Sequence, residues 1–275
     1  MTTTPQQPTP GTNPASNPAP NARKRLQEAQ RQEARAAVRR RRTVVAVSIV
    51  AAVAVVAGGA ALAVSTADDS GTSAAATSVV TPANAGGADG TVVVYGKADA
   101  PHTLAVYEDF RCPICERFET STGKTVQQLA DQGTYKIEYH LATFLDANLG
   151  GQGSRTALAA AGAALNEGVD KFKAFHDVLY ANQPAESEDG FGDVNRILDL
   201  AGQVPGLKTD AFTKAVTDGT YKPWAAKVAT AFNKSGVQGT PTVVLDGKSL
   251  NVIGKDGQAL TGDQFTALVK QTIGG

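Results

Sequence analysis

The two cysteines, Cys112 and Cys115, stand two residues apart and are the only ones in the 275-residue chain. No disulfide framework can therefore hold the fold together. Two thiols at this spacing can cycle between dithiol and disulfide, bind a metal ion, or form a structural disulfide. The structural disulfide is the weakest of the three explanations, because so short a loop constrains the unfolded chain very little.

A metal site would have few further ligands. A structural zinc site needs four ligands, and the sequence adds only three scattered histidines, His102, His140 and His176. A copper(I) site made of the two thiolates, as in a metallochaperone, is compatible with the residue types because thiolates are soft ligands. Redox cycling explains the pair best. We predict no resident metal and no cofactor other than the Cys112–Cys115 disulfide itself.

Charge divides the chain into a basic start and an acidic remainder. Residues 1–42 carry nine basic and two acidic residues, whereas residues 43–275 carry 17 basic and 24 acidic ones. An acidic body argues against a nucleic-acid partner, which would require clustered lysine and arginine. Residues 2–21 are uncharged and proline-rich, without large apolar side chains, so we expect disorder there. Together, residues 1–42 are predicted to form a disordered, basic cytoplasmic segment.

An uncharged apolar stretch follows over Thr43–Ser65. As a helix it would be about 34 Å long, enough to cross a hydrocarbon core of about 30 Å. Four arginines, Arg39–Arg42, precede it, which predicts a cytoplasmic N-terminus and an exported C-terminal domain. A cleavable signal peptide is the alternative, because Ala61-Leu62-Ala63 has the spacing of a cleavage site. Both interpretations export the domain; we predict a single-pass protein of the cell membrane.

Residues 66–90 are mostly Ala, Ser, Thr, Gly and Asp, a composition typical of a flexible linker. Val79 and Val80 are its candidates for docking on the folded domain, which is predicted to span residues 91–275. From Thr91 onward the patterns predict an α/β order of strand, strand, helix, strand, helical block, strand, strand and helix. Strands are predicted over Val92–Tyr95, Thr103–Tyr107, Thr134–Leu141, Thr242–Leu245 and Leu250–Ile253. This order is typical of a thioredoxin fold with a helical insertion, at about residues 143–238.

The cysteines fall where the second strand gives way to the first helix. Pro113 suits the first turn of that helix, where a missing N–H costs nothing. The unpaired amides and positive end of a helix favour the thiolate of Cys112, and such thiols have lowered pKa values. Cys115, one turn further, is expected to be buried. A client thiolate would attack Cys112 and expel Cys115, which acts as the resolving cysteine.

Two motifs together resemble the DsbA-like family of extracytoplasmic thiol-disulfide oxidoreductases. The first is Tyr107-Glu108-Asp109-Phe110-Arg111-Cys112-Pro113-Ile114-Cys115, and the second is Gly239-Thr240-Pro241-Thr242. The resemblance covers about residues 91–275 and implies that Cys112 and Cys115 are catalytic. It also implies that Pro241 is a cis-proline facing the cysteines. Thr240 would offer its backbone to an extended client peptide, and its side chain would help to set the thiol's reactivity.

The resemblance also implies partners and a direction of electron flow. Glu108 and Asp109 are its candidates for relaying protons to Cys115. The clients would be cysteine-containing exported proteins, and a membrane redox partner would reoxidise the pair. The chain has Pro-Ile between its cysteines where the enteric oxidase has Pro-His, so Ile114 removes one stabiliser of the thiolate. Disulfide formation is the first expectation, and a reductase or isomerase of the same fold is the alternative.

Overall fold

The computed structural model of the protein describes residues 79–274. The predicted basic segment 1–42, the predicted transmembrane helix 43–65 and the first part of the predicted linker, residues 66–78, lie outside the described residues. Within residues 79–274, no helix is both long enough and apolar enough to cross a bilayer.

Five strands form one mixed sheet in the order β1-β3-β2-β4-β5. β2 and β3 pair in parallel, and the other neighbours are antiparallel. β2 lies at the centre, and its residues alternate between buried and half-buried until both of its last two are buried. The strands are β1 (Val93–Tyr95), β2 (Thr103–Asp109), β3 (Lys136–Ala142), β4 (Thr242–Leu245) and β5 (Lys248–Leu250).

Helices surround the sheet in the predicted order. α1 (Pro113–Phe118) continues through a π-helical turn (Glu119–Gly123) into α2 (Lys124–Gln132). The predicted helical insertion between β3 and β4 is confirmed. α9 (Gly262–Ile273) follows the sheet and begins with a capping box of Thr261 and Gln264. The insertion consists of α3 (Phe144–Leu149), α4 (Gly153–Glu167), α5 (Val169–Ala181), a 3₁₀ turn (Gly190–Gly192), α6 (Val194–Ala201), α7 (Asp210–Asp218) and α8 (Lys222–Lys234).

Small side chains let the insertion pack tightly. α4 is alanine-rich and buried along most of its length. A Cβ at Gly162 would lie 2.7 Å from the ring of Trp224, so α4 and α8 approach each other at a point where only glycine fits. Trp224 is fully buried, and its indole N–H donates to Gly90 O at 2.7 Å. Burying the indole with its donor satisfied avoids the cost of an unpaired polar group.

The described part of the predicted linker contacts the folded domain from residue 83 to residue 90. Asn84 donates through Nδ2 to Leu165 O at 2.8 Å, and Ala83 N donates to Asn166 Oδ1 at 3.1 Å. Carbonyl groups in the last turn of a helix have no hydrogen-bond donor within the helix. Asn84 therefore supplies a donor to one of these carbonyls at the end of α4. Val79 and Val80 are exposed and do not dock. The folded domain therefore begins about ten residues before the predicted start at residue 91.

The second strand of the C-terminal hairpin was predicted too late in the chain. β5 covers Lys248–Leu250, not Leu250–Ile253. Asp246 and Gly247 have φ values of 49° and 80°, as a two-residue type I′ turn requires. Such a turn makes pairing resume at once, with Leu245 opposite Lys248. After Leu250, only Ile253 forms a further isolated bridge, to Ala259.

Candidate active site

The two thiols lie at the end of the central strand. Cys112 is the N-cap residue of α1, and Pro113 occupies the first turn as predicted. Both cysteines are in the reduced form. The residue Cys112 is 6 % exposed, whereas Cys115 is completely buried. Only Cys112 can therefore meet a thiol that arrives from solvent.

Thr240 and Pro241 face Cys112 across the fold. The Thr240–Pro241 peptide bond is cis, as the resemblance implied. The Cys112 thiol donates to Thr240 O at 3.4 Å, and Cys115 N donates to the Cys112 sulfur at 3.4 Å. A pocket of about 240 Å³ beside Pro241 is lined by the start of β4 and by residues 249–253. An approaching peptide would meet the sulfur and the Thr240 backbone together.

The environment separates the two thiols in acidity. The pKa of Cys112 is lowered to about 7, mainly by the hydrogen bond from the Cys115 thiol. Burial opposes this shift. The Thr240 side chain and the amides of Cys115 and Ile114 lower the pKa further. Burial, followed by the neighbouring Cys112, raises the pKa of Cys115 well above its ordinary value. At neutral pH, Cys112 is partly a thiolate and Cys115 keeps its proton.

Comparison with known proteins gives this geometry its context. A family model described as thioredoxin matches residues 88–271. The chain belongs to the thioredoxin family. Disulfide bond formation protein D of Bacillus subtilis is 28 % identical over 156 residues, which are 56 % of this chain and 68 % of that protein. The chain is a DsbA-like thiol-disulfide oxidoreductase.

Two solved structures of this class resemble the DsbA-like domain. BdbD from Bacillus subtilis superposes with a TM-score of 0.55 at 26 % identity, covering 66 % of this chain and 92 % of the other. Reduced DsbA from Mycobacterium tuberculosis gives a TM-score of 0.53 at 27 % identity, covering 66 % and 88 %. Both likenesses extend over most of the compared chain, so they include the helical insertion as well as the sheet.

The backbone around Cys112 in this DsbA-like protein is held by two side chains that sequence reasoning missed. Gln183 donates through Nε2 to Phe110 O at 2.9 Å and to Cys112 O at 3.1 Å. Arg111 is buried, and its guanidinium donates to Asp146 Oδ1 at 2.9 Å and to Gly150 O at 2.7 Å. Both contacts join the cysteine loop to the helical insertion. The insertion thus fixes where Cys112 points.

Of the two predicted proton-relay residues, Asp109 is engaged in holding the backbone. It is buried, and its carboxylate accepts from Ser154 Oγ at 2.6 Å, Arg111 N at 3.0 Å and Leu145 N at 3.2 Å. Burial raises the pKa of Asp109 to about 6, although these hydrogen bonds oppose the shift. Three donors leave this carboxylate little freedom to approach Cys115, so its geometry fits a structural anchor.

Glu108 has a different environment. It is completely buried, and its Oε2 lies 2.9 Å from His176 Nε2 on α5. Its Oε1 has no hydrogen-bond partner in the described part of the chain. The charge of Glu108 is one of the smaller causes of the raised pKa of Cys115, after burial and the neighbouring Cys112. Of the two acids, Glu108 is the one that pairs with an ionisable side chain.

His176 and Glu119 complete a buried cluster with Glu108. Donor atoms of the three side chains lie within 4.8 Å of one another, a spacing that would fit a metal ion. A metal ligand must be a neutral imidazole. Burial alone would lower the pKa of His176, but hydrogen bonds to Asp177 and Glu108 and the charges of Glu108 and Glu119 raise it to about 9. The ring is therefore protonated at neutral pH, and both of its nitrogens face carboxylates, which fits an ion-paired cluster.

Proposed function

We propose that the protein forms disulfides in exported proteins, with Cys112 as the nucleophilic cysteine and Cys115 as the resolving one. The difference between the two thiols carries the proposal: a slightly exposed Cys112 with a pKa of about 7, and a buried Cys115 whose pKa is raised. Membership of a class that contains disulfide bond formation protein D supports the same direction of electron flow.

The reaction follows from this asymmetry. A client thiolate attacks the sulfur of Cys112 in the oxidised protein, the Cys112–Cys115 bond breaks, and the electron pair goes to Cys115. Cys115 then takes up a proton. A second client thiolate attacks the client sulfur of the mixed disulfide and expels Cys112 as a thiolate. The client leaves oxidised and the protein reduced, so a membrane redox partner has to reoxidise the pair.

The proposed location rests on the sequence before the folded domain. The apolar segment 43–65 would anchor the chain in the cell membrane, with residues 1–42 in the cytoplasm. The folded domain, from about residue 81, would then meet clients as they leave the membrane. Reporter fusions after residue 30 and after residue 275 test this topology: we expect cytoplasmic activity from the first fusion only, and export of the second.

Trapping experiments test the assignment of the two cysteines. Cys115→Ala removes the resolving thiol, so mixed disulfides between Cys112 and clients should accumulate and disappear on reduction. Cys112→Ala is the matched control and should trap none, because Cys115 is completely buried. Equal trapping by both variants, or none by either, would contradict the assignment.

The reduction potential of the pair decides between oxidase and reductase. A stabilised Cys112 thiolate favours the reduced protein, which makes its disulfide a better oxidant. We expect the purified domain to oxidise a reduced model dithiol faster than it reduces insulin. A potential at the reducing end of the known range, close to thioredoxin at about −270 mV, would turn the proposed oxidase into a reductase.

A further inference from the structure

One side chain of the helical insertion binds two carbonyl groups of the cysteine loop. Gln183 follows α5 and donates through Nε2 to Phe110 O at 2.9 Å and to Cys112 O at 3.1 Å. A side-chain amide nitrogen carries two hydrogens, so both donors of Gln183 are used on one short stretch of backbone. The residue that carries the nucleophilic sulfur is therefore held from outside its own helix.

We propose that Gln183 is a positioning residue for thiol–disulfide exchange, because it fixes the Cys112 carbonyl and thereby keeps the Cys112 sulfur against the first amides of α1. The inference rests on the proposed role of Cys112 as the nucleophile. Both bonds from Gln183 end on backbone oxygens, so the side chain acts on the sulfur through the backbone of residue 112. The helical insertion thus sets the reactivity of a thiol that lies outside it.

The direction of the Cys112 carbonyl determines what the sulfur faces. Cys112 is the N-cap residue of α1 with φ −78° and ψ 116°, and ψ is the rotation that orients its carbonyl relative to its side chain. With these angles the sulfur accepts from Cys115 N at 3.4 Å, as an N-cap side chain does. The carbonyl oxygen accepts from Glu116 N at 3.1 Å and from Gln183, which uses both of its lone pairs. A change in ψ would break these three hydrogen bonds together.

The start of α1 needs this support because it has few hydrogen bonds of its own. The first four N–H groups of a helix have no acceptor within the helix. Pro113 in the first turn has no N–H at all, and α1 is only six residues long before the π-helical turn. Glu116 supplies the helical bond to the Cys112 carbonyl. The bond from Gln183 is the second one to that oxygen.

The loop that carries Gln183 is itself fixed on both sides. The backbone oxygen of Asn182 accepts from Arg196 Nη2 on α6 at 3.0 Å. The buried guanidinium of Arg111 donates to Glu186 O at 3.3 Å. Gln183 therefore lies between a contact within the insertion and a contact with the cysteine loop. A side chain on a fixed backbone can fix the atoms that it binds.

The position of the sulfur decides its reactivity. The hydrogen bond from the Cys115 thiol, the Thr240 side chain and the amides of α1 lower the pKa of Cys112 to about 7, against the effect of burial. Hydrogen bonds weaken steeply when misaligned, so a displaced sulfur has a higher pKa. It is then less often a thiolate, which is the reactive form, and it is expelled less readily from a mixed disulfide. A substitution of Gln183 leaves in place the titratable and charged groups beside Cys112, in sequence or in packing: Arg111, Cys115, Glu116 and Tyr180.

Alkylation of the reduced protein tests the positioning role without any client. Gln183→Met removes both donors, keeps the side chain about as long and adds no charge. The rate at which iodoacetamide modifies Cys112 follows its thiolate fraction, and Cys115 is too buried to react. The midpoint of this rate against pH should lie near 7 in the wild type. In the variant it should lie about one unit higher, because a hydrogen bond to a charged group is worth about one to two pKa units.

Asn182→Leu is the matched control. Asn182 precedes Gln183 and donates through Nδ2 to Val178 O at 2.8 Å, so this change removes a side-chain amide of the same loop without touching the cysteine loop. Its midpoint should equal that of the wild type. Gln183→Asn is a second test with little risk of unfolding: it keeps the amide but is one methylene shorter, so it cannot reach both carbonyls and its midpoint should also rise.

Equilibrium with glutathione separates a positioning role from a purely structural one. Positioning acts on the thiolate, so the equilibrium constant for reduction of Gln183→Met should match that of the wild type at about pH 5 and be about tenfold lower at about pH 9. A purely structural effect would change the constant equally at both pH values, which would overturn the proposal. Alkylation midpoints of Gln183→Met and Gln183→Asn that equal the wild-type midpoint would overturn it as well.

A separate assay tests the function on which the inference rests. The wild type should oxidise a reduced model dithiol. If it does not, while the alkylation midpoints shift as expected, Cys112 is positioned by Gln183 but the protein is not the proposed oxidase. If it does, and the midpoints stay unchanged, the proposed function holds and the positioning role is wrong.

Discussion

Thr240→Val should shift the pH dependence of the Cys112–Cys115 reduction potential. Thr240 Oγ1 is buried and has no hydrogen-bond partner in the described residues of the reduced protein. It is therefore available to donate to the Cys112 thiolate, and the side chain lowers the pKa of Cys112. A hydrogen bond to a charged group contributes about 1.5–3 kcal/mol, or about one to two pKa units. The valine variant should thus raise the pKa of Cys112 from about 7 to about 8–9.

The pH dependence of the reduction potential reveals the pKa of Cys112, because its slope depends on how many protons are taken up on reduction. Reduction takes up two electrons and two protons below the pKa of Cys112, but only one proton above it, because Cys115 keeps its own. The potential should fall by about 59 mV per pH unit below the break and by about 30 mV above it. The wild type should break near pH 7 and the variant one to two units higher. At alkaline pH the wild type should be more oxidising by about 30–60 mV.

Equilibration with glutathione buffers at a series of pH values, followed by alkylation, measures both curves. Thr242→Val is the matched control, because the Thr242 hydroxyl donates to Gly239 O at 2.8 Å instead of facing the sulfur. Thr240→Ser keeps a hydroxyl and should keep the break of the wild type. A break at the same pH in Thr240→Val and the wild type would refute the role of the hydroxyl. If the potential of the wild type still fell by about 59 mV per pH unit well above pH 7, the lowered pKa of Cys112 would itself be refuted.

Three further predictions concern the buried charges. Asp109 has a pKa of about 6 when folded against about 3.9 unfolded, so it keeps a proton that the unfolded chain loses. It should therefore lower stability as pH rises from about 4 to 6, by up to about 3 kcal/mol; urea unfolding of Asp109→Asn should lack this dependence. Arg111→Ala removes the buried guanidinium from Asp146, which keeps the more exposed Arg155 as a partner, and should cost at most about 3–5 kcal/mol in the same assay. Gly123→Ala should displace Glu119 and lower the thermal unfolding midpoint, whereas wild-type stability would contradict the close approach.

Local patterns were sufficient to predict the elements that carry the thiols. The prediction of Cys112 at a helix start depends on the following proline and on the alternation of β2, both of which are properties of a few consecutive residues. The capping box of Thr261 is equally local. The cis bond before Pro241 was not predictable from local preference, since X-Pro bonds are mostly trans. It followed from the resemblance and is confirmed.

The features that sequence reasoning missed depend on contacts between distant segments. His176 is 68 residues from Glu108, and its position on a buried helix face predicts core packing equally well. Residues 81–90 have the composition of a linker, yet they satisfy backbone groups at the end of α4 and the indole of Trp224. In each case the partner that decides the outcome lies far away in the chain. A charged or ionisable residue on an otherwise buried helix face is the one signal that could have indicated the cluster.

The site has different chemistry on its two sides, and this arrangement suits a thiol oxidant. Cys112 meets the client beside Thr240 and Pro241, where a hydroxyl and backbone groups surround the sulfur. Cys115 lies inside, where it is completely buried and its pKa is raised. A client can therefore reach only the sulfur of Cys112, and the buried thiol acts on that sulfur alone.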